Sequence, residues 1–123
     1  IQDAWVALGA HVIAVGACRP SHYEVDPALA ARARLVVDSR AVALAPPPVG
    51  ANEFAWAIRD GQITAGHIHA EIGELVSGAR PGRSSAEEIT LYKSVGVAVQ
   101  DAAAAQLVLE AAATQGVGTV VEI

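Results

Sequence analysis

The sequence predicts an α/β fold built on a parallel sheet, with one long helix towards the C-terminal end. Three observations carry this. The run Ala10 to Gly16 (Ala-His-Val-Ile-Ala-Val-Gly) is almost continuously apolar, the pattern of a strand covered on both faces. A helical stretch and a second short apolar run, Leu35-Val36-Val37-Asp38, follow it. Strand, helix, strand at this spacing needs a crossover, which makes the two strands parallel. The third observation is Val95 to Gln115, which holds no proline and is rich in alanine, the best helix former.

Taken in order, the first strand ends at Gly16-Ala17-Cys18-Arg19-Pro20, a turn where the backbone needs freedom. Asp26 as N-cap and Pro27 at the first helical position start a helix that runs to about Arg34. Leu35 to Asp38 is the second strand. Ser39 caps a helix from Arg40 to Ala45, which Pro46-Pro47-Pro48 stops. Residues 46–52 form a loop, Glu53 to Arg59 is helical, and Asp60-Gly61 is a turn. Glu71 to Val76 is a short helix ended by Ser77-Gly78, and a basic loop runs from Ala79 to Ser85. Ile89 to Tyr92, rich in branched and aromatic side chains, reads as a strand. The chain turns at Lys93-Ser94, and Ser94 stands where the N-cap of the long helix belongs. That helix has an apolar face of Val95, Ala98, Val99, Ala102, Ala105, Leu109 and Ala112. Val117 to Ile123 reads as a final strand. There is no internal repeat.

The 123 residues suffice for one domain or part of one, and 53% hydrophobic residues exclude a disordered chain. No apolar run approaches the roughly 20 residues of a membrane span, and Ile1-Gln2-Asp3-Ala4-Trp5 carries no basic segment of a signal peptide. A net charge of −5 argues against a nucleic-acid partner. The single cysteine rules out an internal disulfide and fits a reducing cytoplasm. With no methionine anywhere, the chain reads as a fragment.

Several side chains invite a chemical reading. A helix that starts directly after a strand presents unpaired N–H groups, a ready site for a carboxylate or phosphate, so the start at Ser94 is the first candidate. His67 and His69 at i, i+2 would share one strand face, but no third ligand stands at ordinary metal-site spacing, so both read as surface or packing residues. His11 opens a buried strand and reads as structural. Arg80 and Arg83 are either solvated loop residues or contacts to a cofactor phosphate. Cys18 reads as an inert pocket-lining thiol, as a substrate contact, or as a thiol buried away from any pocket.

His11-Val12-Ile13-Ala14-Val15-Gly16-Ala17, then Pro20 and Glu24, then Val36-Val37-Asp38-Ser39, resemble the rear half of the ornithine cyclodeaminase/mu-crystallin family. Glu88-Ile89-Thr90-Leu91-Tyr92-Lys93-Ser94-Val95-Gly96-Val97-Ala98-Val99-Gln100-Asp101 resembles that family's C-terminal signature, and Pro81-Gly82-Arg83 fits before it. The resemblance covers nearly the whole chain. It implies an α/β, Rossmann-type parallel sheet, the second half of a doubly wound NAD(P)-binding domain, over residues 1–93. Residues 94–123 would be a helix and strand returning to a dimerisation domain. The glycine-rich phosphate turn and the basic residues that grip the substrate carboxylate belong to the front half, outside this sequence. Gly116-Val117-Gly118 has no third glycine and no helix after it.

The resemblance also implies a site. Val12-Ile13-Ala14-Val15-Gly16 matches the strand whose end lies under the nicotinamide of NAD or NADP. Ser94 matches a serine beside the nicotinamide, Val95 its substrate-contacting neighbour, and His22 a lysine that contacts the cofactor. Cys18 falls where cyclodeaminases carry an aspartate base. A thiol of pKa about 8.5 does not replace a carboxylate base, which points away from ornithine cyclisation. The implied activity is reduction of a ketimine or pyrroline-carboxylate, or an alanine-dehydrogenase-like reaction. The substrate is then a small amino or imino acid, in a homodimer when the protein is full length, with neither nucleic acid nor membrane as partner. Alternatives are ornithine cyclodeaminase itself, or a mu-crystallin-like protein that binds a ligand without turnover. The 123 residues alone are expected to be inactive.

Overall fold

Four short strands run parallel in one sheet: β1 (His11–Ala14), β2 (Arg34–Val37), β3 (Ile68–Glu71) and β4 (Thr90–Lys93), in the order β1-β4-β2-β3. The computed structural model describes residues 1–16, 19 and 21–122. The parallel arrangement of the first two predicted strands is present, but they are not neighbours. The connection between them skips one position, and β4 fills it from the far end of the chain.

Local chemistry starts the helices where the sequence indicates. Asp26 accepts the N–H of Ala28 at 3.2 Å ahead of α1 (Pro27–Arg32). Ser39 accepts the N–H of Val42 at 3.5 Å ahead of α2 (Arg40–Ala43), which ends short of the prolines. Helices α3 (Asn52–Arg59) and α4 (Ile72–Val76) follow. α1 and α3 pack together on one face of the sheet, where Leu29, Leu35, Phe54 and Leu91 are wholly buried. Each large apolar side chain so buried contributes about 1.5–3 kcal/mol.

Four expectations need correction. β1 is not covered on both faces: Val12 and Ala14 point into the core, while His11 and Ile13 are exposed. The helix pair covers one face only. On the other, α4 leaves an apolar groove of about 490 Å³ over Ile13, Val36 and Tyr92. β3 went unpredicted because Ile68-His69-Ala70-Glu71 alternates over only four residues of mostly weak strand propensity. His67 belongs to the 3₁₀ turn before it (Ala65–His67), so the two histidines do not share a strand face.

The third correction concerns the long helix. α5 spans Ala98–Gln115 and begins three residues later than expected, with Val97 at the N-cap position and Ser94 not capping it. Gly96 has φ +84, which breaks any helical turn started at Val95. Gly116, at φ +65, closes the helix. No residue of α5 is buried; of the predicted apolar face Val95, ahead of the helix, packs against the core, while Val99 and Leu109 stand open. Residues 117–122 form no strand, and Val120 and Val121 are exposed. Among the described residues, no helix is long and apolar enough to cross a membrane.

Candidate functional site

The C-terminal ends of β1 and β4 lie side by side, with Ala14 paired to Lys93. In open parallel sheets this is where ligands bind. A cleft of about 80 Å³ opens there, lined by Val15 and Gly16 beyond β1, Lys93, Ser94 and Val95 at the end of β4, and Pro48, Val49 and Gly50. The last three come from the loop after α2, which folds back tightly. A Cβ on Gly50 would lie 1.9 Å from the carbonyl oxygen of Ala45, so only glycine permits the close approach.

Beneath the cleft is a buried charge cluster. Lys93 closes β4 with a side chain almost fully shielded from solvent, its Nζ 2.5 Å from Glu24 Oε2 and 3.4 Å from Glu53 Oε1. The same Glu24 oxygen accepts the N–H of Gly16 at 2.7 Å, and the N–H of Glu24 donates to Glu53 Oε1 at 2.8 Å. One carboxylate thus ties the end of β1 to the end of β4. Asn52, next to Glu53, donates to the carbonyls of Arg19 and His22 at 2.7 and 2.6 Å and fixes the loop after Gly16. Tyr23 stands edge-on to Trp56, ring centroids 4.9 Å apart, and pins the same loop to α3. Glu53 Oε2 and Asn52 Oδ1 are buried without a hydrogen-bond partner among the described residues.

A second carboxylate organises the other wall. Asp38, just beyond β2, is 8% exposed. Its Oδ2 accepts from the Ser94 hydroxyl at 2.7 Å, from Val95 N–H at 3.1 Å and from Gly96 N–H at 2.9 Å, and its Oδ1 accepts from Ser39 N–H at 2.9 Å. The N–H groups after Ser94 that the sequence offers to an external anion are therefore satisfied internally by Asp38.

The structure brings four of the expected site residues to one place: Val15, Gly16, Ser94 and Val95. Val12 and Ala14 are core residues beneath, and Ile13 faces the groove on the other side of the sheet. His22 is exposed, its Nδ1 3.0 Å from Ser21 Oγ, and does not line the cleft. Cys18 lies outside the described residues. Arg83 is exposed, as a loop arginine is expected to be, and its guanidinium donates to the carbonyls of Gly9 and Ala10 and to Thr90 Oγ1, bracing the opposite end of the sheet. His11 Nδ1 lies 2.7 Å from Thr90 Oγ1, His67 Nε2 lies 3.1 Å from the Ala31 carbonyl, and His69 Nε2 lies 2.8 Å from that of Pro81. No three metal-ligating side chains converge among the described residues.

Lys93, Glu53, Asn52 and Asp38 were not singled out from the sequence. Two of them carry a local signal. Lys93 follows the inward alternation of Leu91 on β4, and Glu53 shares the inward face of α3 with Phe54 and Ala57. A charge at an inward position indicates a buried partner.

Comparison with known proteins places these features in context. The family model described as "Ornithine cyclodeaminase/mu-crystallin family" matches residues 1–116. An alanine dehydrogenase of Archaeoglobus fulgidus is 37% identical over 119 residues, 97% of this chain and 35% of the relative. A Δ1-pyrroline-2-carboxylate reductase of Bacillus cereus is 42% identical over 115 residues, 93% of this chain and 34% of the relative. The solved Δ1-pyrroline-2-carboxylate reductase of Thermococcus litoralis, in complex with NADH and L-proline, superposes with a TM-score of 0.87 at 38% identity, over 98% of this chain and 36% of that one. The chain spans about a third of the length of the curated relatives it matches.

Proposed function

The chain belongs to the ornithine cyclodeaminase/mu-crystallin family, and on that premise we propose that it is part of an NAD(P)-dependent oxidoreductase acting on a small amino or imino acid. Imine reduction, of a ketimine or a pyrroline-carboxylate, is the favoured reaction, with an alanine-dehydrogenase-like oxidation next to it. The observation that carries this is the cleft between the ends of β1 and β4, floored by Gly16 and walled by Ser94 and Val95. It suits the nicotinamide end of a dinucleotide. Apart from Lys93 and Ser94 its lining is apolar or glycine: Val15, Gly16, Pro48, Val49, Gly50 and Val95. When bound, the nicotinamide carries the hydride that passes to or from the substrate carbon. Nothing in this sequence cradles a pyrophosphate, which needs a glycine-rich turn before a helix.

The residues of this chain then have distinct tasks. Val12 to Gly16 form the strand end that supports the ring, and Glu24 holds the Gly16 N–H so that this end cannot shift. His22 stands on the loop that Asn52 fixes and approaches the cofactor from outside the cleft. Val95 contacts the substrate on this reading, and Cys18 takes the sequence position where cyclodeaminases carry their base. A thiol at position 18 in place of a carboxylate base favours hydride transfer over release of ammonia. Residues 1–93 belong to the dinucleotide domain and 94–123 lead to a dimerisation domain. Support for this division is the uncovered length of α5 and the uncovered outer face of the sheet. The whole protein is a cytoplasmic homodimer on this reading.

The test is NAD(P)H oxidation by the full-length protein against a panel of cyclic imines, and of keto acids with an amine. Turnover of an imine is the expected result. Cofactor binding with no turnover would replace the reading with a ligand-binding protein, and ammonia release from ornithine would replace it with a cyclodeaminase.

A further inference from the structure

We infer that Asp38 is a positioning residue that fixes the polarity of Ser94, so that Ser94 faces the cleft only as a hydrogen-bond acceptor and selects an N–H donor there. On the functional reading above, that donor is the carboxamide N–H of the nicotinamide. A serine hydroxyl has one proton and two lone pairs. The Ser94 proton goes to Asp38 Oδ2 at 2.7 Å, and one lone pair takes the N–H of Gly96 at 3.1 Å. One lone pair remains, on a residue that is part of the cleft lining.

The arrangement cannot reverse. A carboxylate accepts and does not donate, and Asp38 is held in place by the N–H groups of Ser39, Val95 and Gly96. With an amide in place of the acid, the hydroxyl would be free to donate in either direction. With Asp38 it is not. A carbonyl oxygen placed against Ser94 would meet a lone pair, whereas an amide N–H completes the set. Ser94 therefore reads which way round the carboxamide lies, and Asp38 is what gives it that ability.

The test compares binding of NAD(H) with that of the 3-acetylpyridine analogue, in which a methyl ketone replaces the carboxamide and the N–H donor is lost. Affinities are measured on the full-length protein by calorimetry or fluorescence quenching, without turnover. The wild type should prefer the carboxamide. Ser94→Ala should shrink that preference about three- to tenfold, the value of one hydrogen bond. Ser94→Thr, which keeps the hydroxyl, should preserve it. Asp38→Ala should also shrink it, because the freed hydroxyl can then donate to the ketone oxygen. If that variant does not fold, Asp38→Asn, which keeps the side-chain shape but frees the hydroxyl, should shrink the preference in its place; an unchanged preference there would overturn the role of Asp38. An unchanged preference in Ser94→Ala would overturn the inference while leaving the functional reading intact. A wild type that binds neither dinucleotide would overturn both.

Discussion

The ammonium of Lys93 lies 3.4 Å from the carboxylate of Glu53, and both side chains are closed off from solvent. Removing the cation would leave a fully buried carboxylate with no counter-charge. Lys93→Met should therefore destabilise the full-length protein by about 3–5 kcal/mol, the usual cost of breaking a buried pair from one side. Removing Glu53 as well, as Lys93→Met with Glu53→Leu, should restore part of the loss, since the fully buried carboxylate is then gone and the remaining Glu24 is partly open to solvent. Urea unfolding of the single and double variants checks this. A single-variant loss below about 1 kcal/mol would mean that Glu53 finds compensation elsewhere.

Gly50 and Gly73 should respond to the same substitution with opposite signs. A Cβ at Gly50 meets the carbonyl oxygens of Ala45 and Ala43 at 1.9 and 3.0 Å, so the loop that borders the cleft must move. Gly50→Ala should cost about 1–3 kcal/mol and weaken ligand binding with it. Gly73 sits within α4, and a Cβ there meets nothing within 4 Å. Gly73→Ala should gain about 0.5–1 kcal/mol from helix propensity. Thermal melts of the two variants, with ligand titrations alongside, give both answers. Equal effects would mean that the loop after α2 yields more easily than its packing implies.

The parts of the fold that the sequence predicted are those with a local cause. Asp26-Pro27 caps its own helix, and the alanine-rich stretch that becomes α5 needs no partner to declare itself. β3 needed its neighbour: four residues of mixed character become a strand because β2 offers an edge. Ser94 misled because its best partner is 56 residues away in Asp38, though Gly96 already ruled out a helical turn at Val95. Lys93 and Glu24 are 69 residues apart, so no window of sequence pairs them. Gly16 and Ser94 were marked as site residues through the family resemblance, and the cleft that joins them is a property of the sheet order.

Glu88 gives the chain an acid-sensitive element at the opposite end of the sheet. The Arg34 guanidinium at 2.7 Å, followed by the Ser84 N–H at 2.7 Å, holds its carboxyl down from 4.5 to about 2. The folded state thus keeps Glu88 ionised at acidities where the unfolded chain has protonated it. Its contribution is complete above about pH 4.5 and is lost as the pH falls towards about 2. The stability difference between wild type and Glu88→Gln should be flat at neutral pH and shrink through that window. A difference that is constant with pH, or an NMR titration of Glu88 near 4.5, would show that the Arg34 contact does not form in solution.

Finally, the 123-residue polypeptide on its own should neither stay monomeric nor bind a dinucleotide tightly. α5 has 18 residues and none of them is buried, and a helix of that length without packing is marginal in water. Val99, Leu107, Val108 and Leu109 are all about two-thirds exposed or more. The groove over Ile13, Val36 and Tyr92 is a second uncovered apolar surface. Two such surfaces on one small chain drive association. Sedimentation velocity should report oligomers or aggregates, and circular dichroism should show helix content that rises with concentration. The dinucleotide half of the expectation rests on the missing phosphate cradle. Gly116-Val117-Gly118 is no substitute, because it closes a helix where a pyrophosphate site must open one. Titration with NADH and NADPH should therefore give weak, non-saturating signals. Saturable one-to-one binding by a monomer would mean that the cleft beside Ser94 suffices by itself, and that the division of labour with a separate phosphate-binding half is wrong.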